Sequence, residues 1–220
     1  MTDPRAERFR RFRNVKMVTV APERAGALDF IEAVSRDCIV SLGHTGCSCE
    51  LALQAMEKGA NCLTHMFNAM APFRHREPGP IGAAVLKQPY VQLISDGTHV
   101  YQPAVVAAFR LFPGKVVLIS DSIRPAGLSG GLSKCGGLDV YMKDGKACLS
   151  DGTIAGSTAS LLDCVRQAIR FGIPEKDAIE AATRIPAQML GLRKGVIEPG
   201  FDADLLLVDE QLNLIRTIIA

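Results

Sequence analysis

Five short apolar runs, each closing on polar residues and separated by stretches of helical spacing, constrain this chain more than any other feature. They are Val15 to Val20, Cys38 to Leu42, Asn61 to Thr64, Tyr90 to Ser95 and Val116 to Ser120. Gly26 to Val34 has helical apolar spacing, as does Glu50 to Lys58, with Gly59 placed to cap the latter. Such alternation predicts parallel strands joined by helical crossovers. In a parallel sheet all strands end on one side, so the residues that follow them converge however distant in sequence. Here those residues are Glu23, His44, His65, Asp96 with His99, and Asp121.

At 220 residues and 48% hydrophobic content the chain can bury a core of one domain, or of one domain plus a fragment. A closed eight-stranded α/β barrel takes about 250 residues, so a partial barrel is expected. A net charge of +2 gives no reason to expect nucleic acid or a membrane surface as the partner. The arginine-rich segment Arg5 to Arg13 reads as a helix docking Phe9 and Phe12 with its arginines solvated. No apolar segment reaches the roughly 20 residues of a membrane span. Seven cysteines (Cys38, Cys47, Cys49, Cys62, Cys135, Cys148 and Cys164) follow no secreted disulfide pattern, which points to a reducing cytoplasm. Cys47 and Cys49 lack a second Cys-x-x-Cys element and are expected to be inert thiols.

After Asp121 the pattern changes to a Gly-rich excursion, Gly127 to Gly137, read as a lid or pocket wall. A hairpin follows, Leu138 to Met142 and Ala147 to Leu149, turning at Lys143 to Lys146. Ser157 or Thr158 is expected to cap a helix through Arg170, and Pro174 to open another over Glu175 to Thr183. The stretch from Gly195 to Asp204 reads as a turn feeding the strand Leu205 to Val208.

His44 and His65 close successive strands, and two neutral imidazoles there suit a shared divalent metal such as zinc or a related ion. Asp121 suits a general base that later returns its proton to a leaving group; its bland role is capping a turn. The polar loop from Asn68 to Pro80 offers an amide, backbone donors and the guanidinium groups of Arg74 and Arg76, a set suited to an anion or to an ordinary surface loop.

Taken together, Ala21-Pro22-Glu23, Gly43-His44-Thr45, Thr64-His65-Met66-Phe67-Asn68-Ala69-Met70, Arg76-Glu77-Pro78-Gly79, Asp96-Gly97-Thr98-His99 and Ser120-Asp121-Ser122 resemble the N-acetylglucosamine-6-phosphate deacetylase family of the amidohydrolase superfamily. The closing Gly200-Phe201-Asp202-Ala203-Asp204-Leu205 is similar to a motif shared more widely in that superfamily. The resemblance implies an α/β fold: a partial TIM-like (β/α)8 barrel of about strands four to eight over residues 1–194, and the start of a small β-sandwich over 195–220. It implies a divalent cofactor, zinc or another ion such as iron, on His44 and His65, with Asp121 as general base and acid. It further implies phosphate held by Asn68, Ala69 and Arg76, sugar or acetamido contact by His99, and a pocket lined by Ile154, Ala155 and Gly156. The implied partner is a small amino-sugar phosphate, with neither nucleic acid nor membrane, and the full-length protein is expected to be a cytoplasmic homodimer.

The family's His-Leu-Glu-Gly-Pro motif, whose glutamate completes the metal site, has no counterpart here. Glu23 matches the Ala-Pro-Glu segment, which in the family is not the metal ligand. The rival readings are another amidohydrolase, dihydroorotase-like or adenine-deaminase-like, and an inactive fragment or sugar-phosphate binder. The pair Asn68-Ala69 with Arg76 separates the first of these from the deacetylase reading, and metal binding separates the second.

Overall fold

A computed structural model describes residues 4–12, 14–123, 126, 131–135, 138–143, 146–151 and 154–220, with backbone alone for 131–135, 138, 142, 143, 146, 154 and 155. In chain order the elements begin with α1 (Pro4–Arg10), β1 (Met17–Val20), α2 (Ala27–Val34), β2 (Ile39–Leu42), α3 (Cys49–Glu57) and β3 (Ala60–Leu63). They continue with α4 (Gly79–Lys87), β4 (Tyr90–Ile94), α5 (Gln102–Leu111) and β5 (Val116–Ile119). Then come β6 (Gly131–Cys135), β7 (Leu138–Lys143), β8 (Lys146–Cys148), β9 (Ile154–Gly156), α6 (Leu161–Arg170), α7 (Glu175–Ala182), α8 (Arg184–Leu190), β10 (Leu205–Val208) and β11 (Leu214–Ile218).

The five apolar runs form one sheet in the order β1-β2-β3-β4-β5, every neighbouring pair parallel. Side chains alternate across a sheet, so Val40, Leu42, Leu63, Val91, Leu93 and Leu118 share the buried face beneath the helices. Ile31 and Val34 of α2, Ala52 and Ala55 of α3, Ile81 of α4, and Val105 and Ala108 of α5 join them in one core. Fully burying Phe112, which follows α5, contributes roughly 1.5–3 kcal/mol. The opposite face mixes apolar residues such as Cys62, Ile94 and Val117 with polar ones: Ser41 Oγ and Thr64 Oγ1 lie 2.6 Å apart, and Thr19 Oγ1 and Thr64 Oγ1 3.1 Å apart. The sheet is thus a five-strand piece of a TIM-like barrel.

Several local expectations need correction. Part of the Gly-rich excursion is strand, because β6 pairs antiparallel with β7 in a four-stranded sheet β6-β7-β8-β9. Residues 127–130, 136 and 137 of that excursion, and 144 and 145 of the expected hairpin turn, lie outside the described residues. The helix ending at Arg170 is capped by Ser160, not Ser157 or Thr158, through a capping box with Asp163. Ser157 is engaged elsewhere, as described below. Arg5 and Arg10 are not simply solvated: they donate to the carbonyls of Ala25, Gly26 and Ala33, while Phe9 meets Phe30 edge to face at 5.9 Å. Among the described residues, no helix is long and apolar enough to cross a membrane.

Candidate active site

His44, His65, Asp96 and Asp121 each stand two positions beyond the last residue of β2, β3, β4 and β5. The parallel register brings these four exits to one rim. His44 (φ 50°), His65 (φ 29°) and Asp121 (φ 48°) all have left-handed backbone, as do Phe67 (78°) and Ala69 (48°) in the loop after His65. Such conformations cost non-glycine residues roughly 1–3 kcal/mol each and persist only where the surroundings enforce them. Five of the seven such residues described fall on this rim. Gly43 has no room for a side chain, since a Cβ there would lie 2.6 Å from Thr64 Cβ.

The two imidazoles are brought together. His44 Nε2 and His65 Nε2 are 2.9 Å apart, with the rings nearly perpendicular at 88°. His65 is buried, and its Nδ1 faces the carbonyl oxygen of Asn68 at 3.1 Å. A carbonyl only accepts, so Nδ1 carries the proton and the neutral ring presents its Nε2 lone pair to His44. At that separation a proton on His44 Nε2 makes an ordinary N–H···N hydrogen bond, and without that proton both Nε2 lone pairs can face one cation. The donor set therefore fits a divalent cation with open positions. Among the described residues no third His, Cys, Asp or Glu completes a ligand cluster, so Asp121 does not join the pair as a ligand. Its side chain is exposed and its carbonyl accepts from the Ser157 amide at 3.1 Å.

Glu23 sits beside this pair without joining it. Its Oε2 accepts from Thr45 Oγ1 at 2.6 Å and its Oε1 from the Gly46 amide at 2.9 Å. Partial burial would raise the carboxyl's pKa, but the Thr45 hydroxyl, backbone amides and the charge of Arg24 hold it below the ordinary glutamate value.

At the β4 exit His99 Nδ1 donates to Asp96 Oδ2 at 2.7 Å, with both side chains under one-tenth exposed. Asp96 Oδ1 accepts the amides of Thr98 and His99, and Ser157 Oγ donates to Oδ2 at 2.9 Å. Burial would raise the Asp96 carboxyl, yet the hydrogen bonds from His99 and the two amides hold it well below the usual carboxylate range. With Nδ1 committed, Nε2 is the atom His99 offers to a ligand. The sequence shows Asp96 at a strand exit and offers Ser157 as a helix cap, but discloses neither as a partner of His99.

The remaining site residues are dispersed. Asn68 turns its amide nitrogen inward to the carbonyls of His65 and Met66, and Ala69 is exposed with its carbonyl accepting from Thr45. Arg76 lines a separate cleft of about 380 Å³ with Arg74, Ser48 and Glu77, to which Asn68 and Ala69 do not contribute. Gly156 (φ 151°) packs where a Cβ would lie 2.5 Å from Ile123 Cγ2. Ile154 and Ala155 run in β9, and their side chains lie outside the described residues. Burial pushes the Cys47 thiol up, Cys62 to about 11 and Cys164 to about 12, all unsuited to thiolate chemistry.

Relatives decide what this rim belongs to. The chain is 38% identical over 211 residues to N-acetylglucosamine-6-phosphate deacetylase of Bacillus subtilis (strain 168), covering 93% of this chain and 53% of that protein. The deacetylase of Homo sapiens is 37% identical over 219 residues, covering 94% of this chain and 53% of that protein. The Mycobacterium smegmatis deacetylase, solved as a mutant in complex with N-acetyl-D-glucosamine-6-phosphate, superposes with a TM-score of 0.92 at 33% identity, over 100% of this chain and 61% of that one. The deacetylase from Pasteurella multocida gives 0.91 at 30% identity, over 99% and 59%. The amidohydrolase family pattern matches residues 131–220. The chain spans about half the length of the curated deacetylases it matches.

Proposed function

We propose that this chain is part of an N-acetylglucosamine-6-phosphate deacetylase, an amide hydrolase that yields glucosamine 6-phosphate and acetate. The observation that carries the reading is the convergence of His44 and His65, Nε2 to Nε2 at 2.9 Å, in a chain whose relatives bear that name. His44 and His65 would hold a divalent cation, zinc by donor type, which when bound would supply polarisation of the acetyl carbonyl and a lowered pKa for water.

The residues of the chain then divide the work. Asp121 takes a proton from the attacking water and returns it to the departing nitrogen, so water's OH ends on the acetyl carbon and its hydrogen on the amine. His99, oriented by Asp96, offers Nε2 to the sugar or its acetamido group. Asn68, Ala69 and Arg76 hold the phosphate, the guanidinium supplying charge-assisted hydrogen bonds. Ile154, Ala155 and Gly156 form the pocket wall. On this reading residues 1–194 are the barrel portion, residues 195–220 begin a small sandwich, and the complete protein is a cytoplasmic homodimer.

The test is acetate release from N-acetylglucosamine 6-phosphate by the zinc-loaded protein, beside its Asp121→Asn variant and the unphosphorylated sugar. Release that needs both Asp121 and the phosphate is expected. Equal turnover of the two sugars, or turnover unaffected by Asp121→Asn, contradicts the reading. The alternative is a sugar-phosphate binder without turnover. Its signature is tight binding of the phosphorylated sugar with no acetate released.

A further inference from the structure

We propose that Glu23 is a positioning residue for the imidazole pair, presetting the turn that carries His44 and, through Thr45, locking that turn to the loop after His65. The proposal rests on the reading of His44 and His65 as a cation site.

Both Glu23 oxygens are spent on the two residues that follow His44, the Thr45 hydroxyl and the Gly46 amide. A carboxylate so engaged is not a ligand in waiting; it is a clamp on a turn. The turn needs one, because His44 sits at φ 50°, a conformation that a β-substituted residue does not hold unaided.

Thr45, only 2% exposed, is the hub of the arrangement. Its hydroxyl donates to Glu23 and accepts from the Cys47 amide at 3.1 Å. Its backbone amide donates to the Ala69 carbonyl at 3.0 Å, and its carbonyl accepts from the Ala71 amide at 2.9 Å. These two bonds form a parallel bridge between Thr45 and Met70. The 69–71 segment begins just beyond Asn68, whose carbonyl orients His65 from the other side. Both imidazoles thus hang from one hydrogen-bonded plate anchored at its edge by Glu23.

Outer partners of this kind tune metal affinity by holding ligands in register. Glu23 adds negative charge near the pair as well, so a variant that keeps shape but not charge separates the two contributions. Glu23→Gln retains an acceptor for the Gly46 amide and a donor for Thr45 Oγ1, whereas Glu23→Ala retains neither.

Two measurements on the chain decide the matter. Amide hydrogen exchange at Thr45, Gly46, Cys47 and Ala71 is expected to quicken at least tenfold in Glu23→Ala, with Val91 in the sheet unchanged and Glu23→Gln close to wild type. Zinc affinity, read by competition with a chromophoric chelator, is expected to weaken about 10- to 100-fold in Glu23→Ala. Exchange that is unchanged, or raised uniformly across the sheet, overturns the proposal, as does a Glu23→Ala variant that binds zinc like wild type. Absence of zinc uptake by the wild type overturns the cation reading alone, and the exchange pattern then decides whether Glu23 holds the turn.

Discussion

The rim has two halves built on one plan with opposite treatment of histidine. At the β2 and β3 exits a carboxylate, Glu23, grips a hydroxyl and an amide beside His44 and leaves the imidazole free to meet His65. At the β4 and β5 exits a carboxylate, Asp96, also grips a hydroxyl and amides, but takes the imidazole of His99 as well. A free ring nitrogen paired with another suits a cation; a ring tied to a carboxylate suits hydrogen bonding to a neutral or anionic group. The partner of the histidine, more than the histidine itself, assigns its role.

The largest effect that could break this division concerns Asp121. Asp121→Asn should lower turnover about 100- to 10,000-fold while leaving zinc uptake unchanged. Loss of zinc uptake in that variant would merge the two halves into one site.

Asp96→Asn comes next, with an expected loss of about 1.5–3 kcal/mol in chemical unfolding, since charge-assisted hydrogen bonds are removed from a buried group. The pH dependence gives its sign. The folded carboxyl titrates below the ordinary aspartate value, so its stabilisation is complete above about pH 4 and is lost as pH falls toward the folded value. The gap between wild type and Asp96→Asn should therefore narrow on acidification; a gap that widens contradicts the pairing.

Gly43→Ala tests the first half from beneath. The added Cβ meets Thr64 at 2.6 Å, and about 1–3 kcal/mol of destabilisation with weakened zinc uptake is expected. Stability equal to wild type would show that the strand exit has slack. The smallest effect is a control: Ser160→Ala removes the cap of α6, bonded to neither imidazole of the pair, and should cost about 1 kcal/mol with no change in zinc uptake.

Much of this rim was legible in the sequence. His44, His65 and Asp121 follow apolar runs, and parallel strands bring such positions together, so spacing alone placed them at one end of the sheet. What stayed hidden was non-local pairing. Glu23 and Thr45 are 22 residues apart and Asp96 and Ser157 61 apart, and neither bond leaves a local pattern. Ser157 was read as a helix cap because serine before a helix is a common cap, yet Ser160 takes that role and frees Ser157 for Asp96. β6 was read as loop because Gly131 and Ser133 are weak strand formers, and only its pairing with β7 makes it strand. The Arg76 cleft joins Ser48, at the start of α3, to Ala71, Arg74 and Glu77, a grouping that no local motif discloses.

The most direct test is zinc titration of this chain followed by nitrogen NMR of its imidazoles. One equivalent should bind and shift Nε2 of both His44 and His65, leaving His75 and His99 unmoved. Zinc that fails to bind, or binds without moving that pair, would contradict the account.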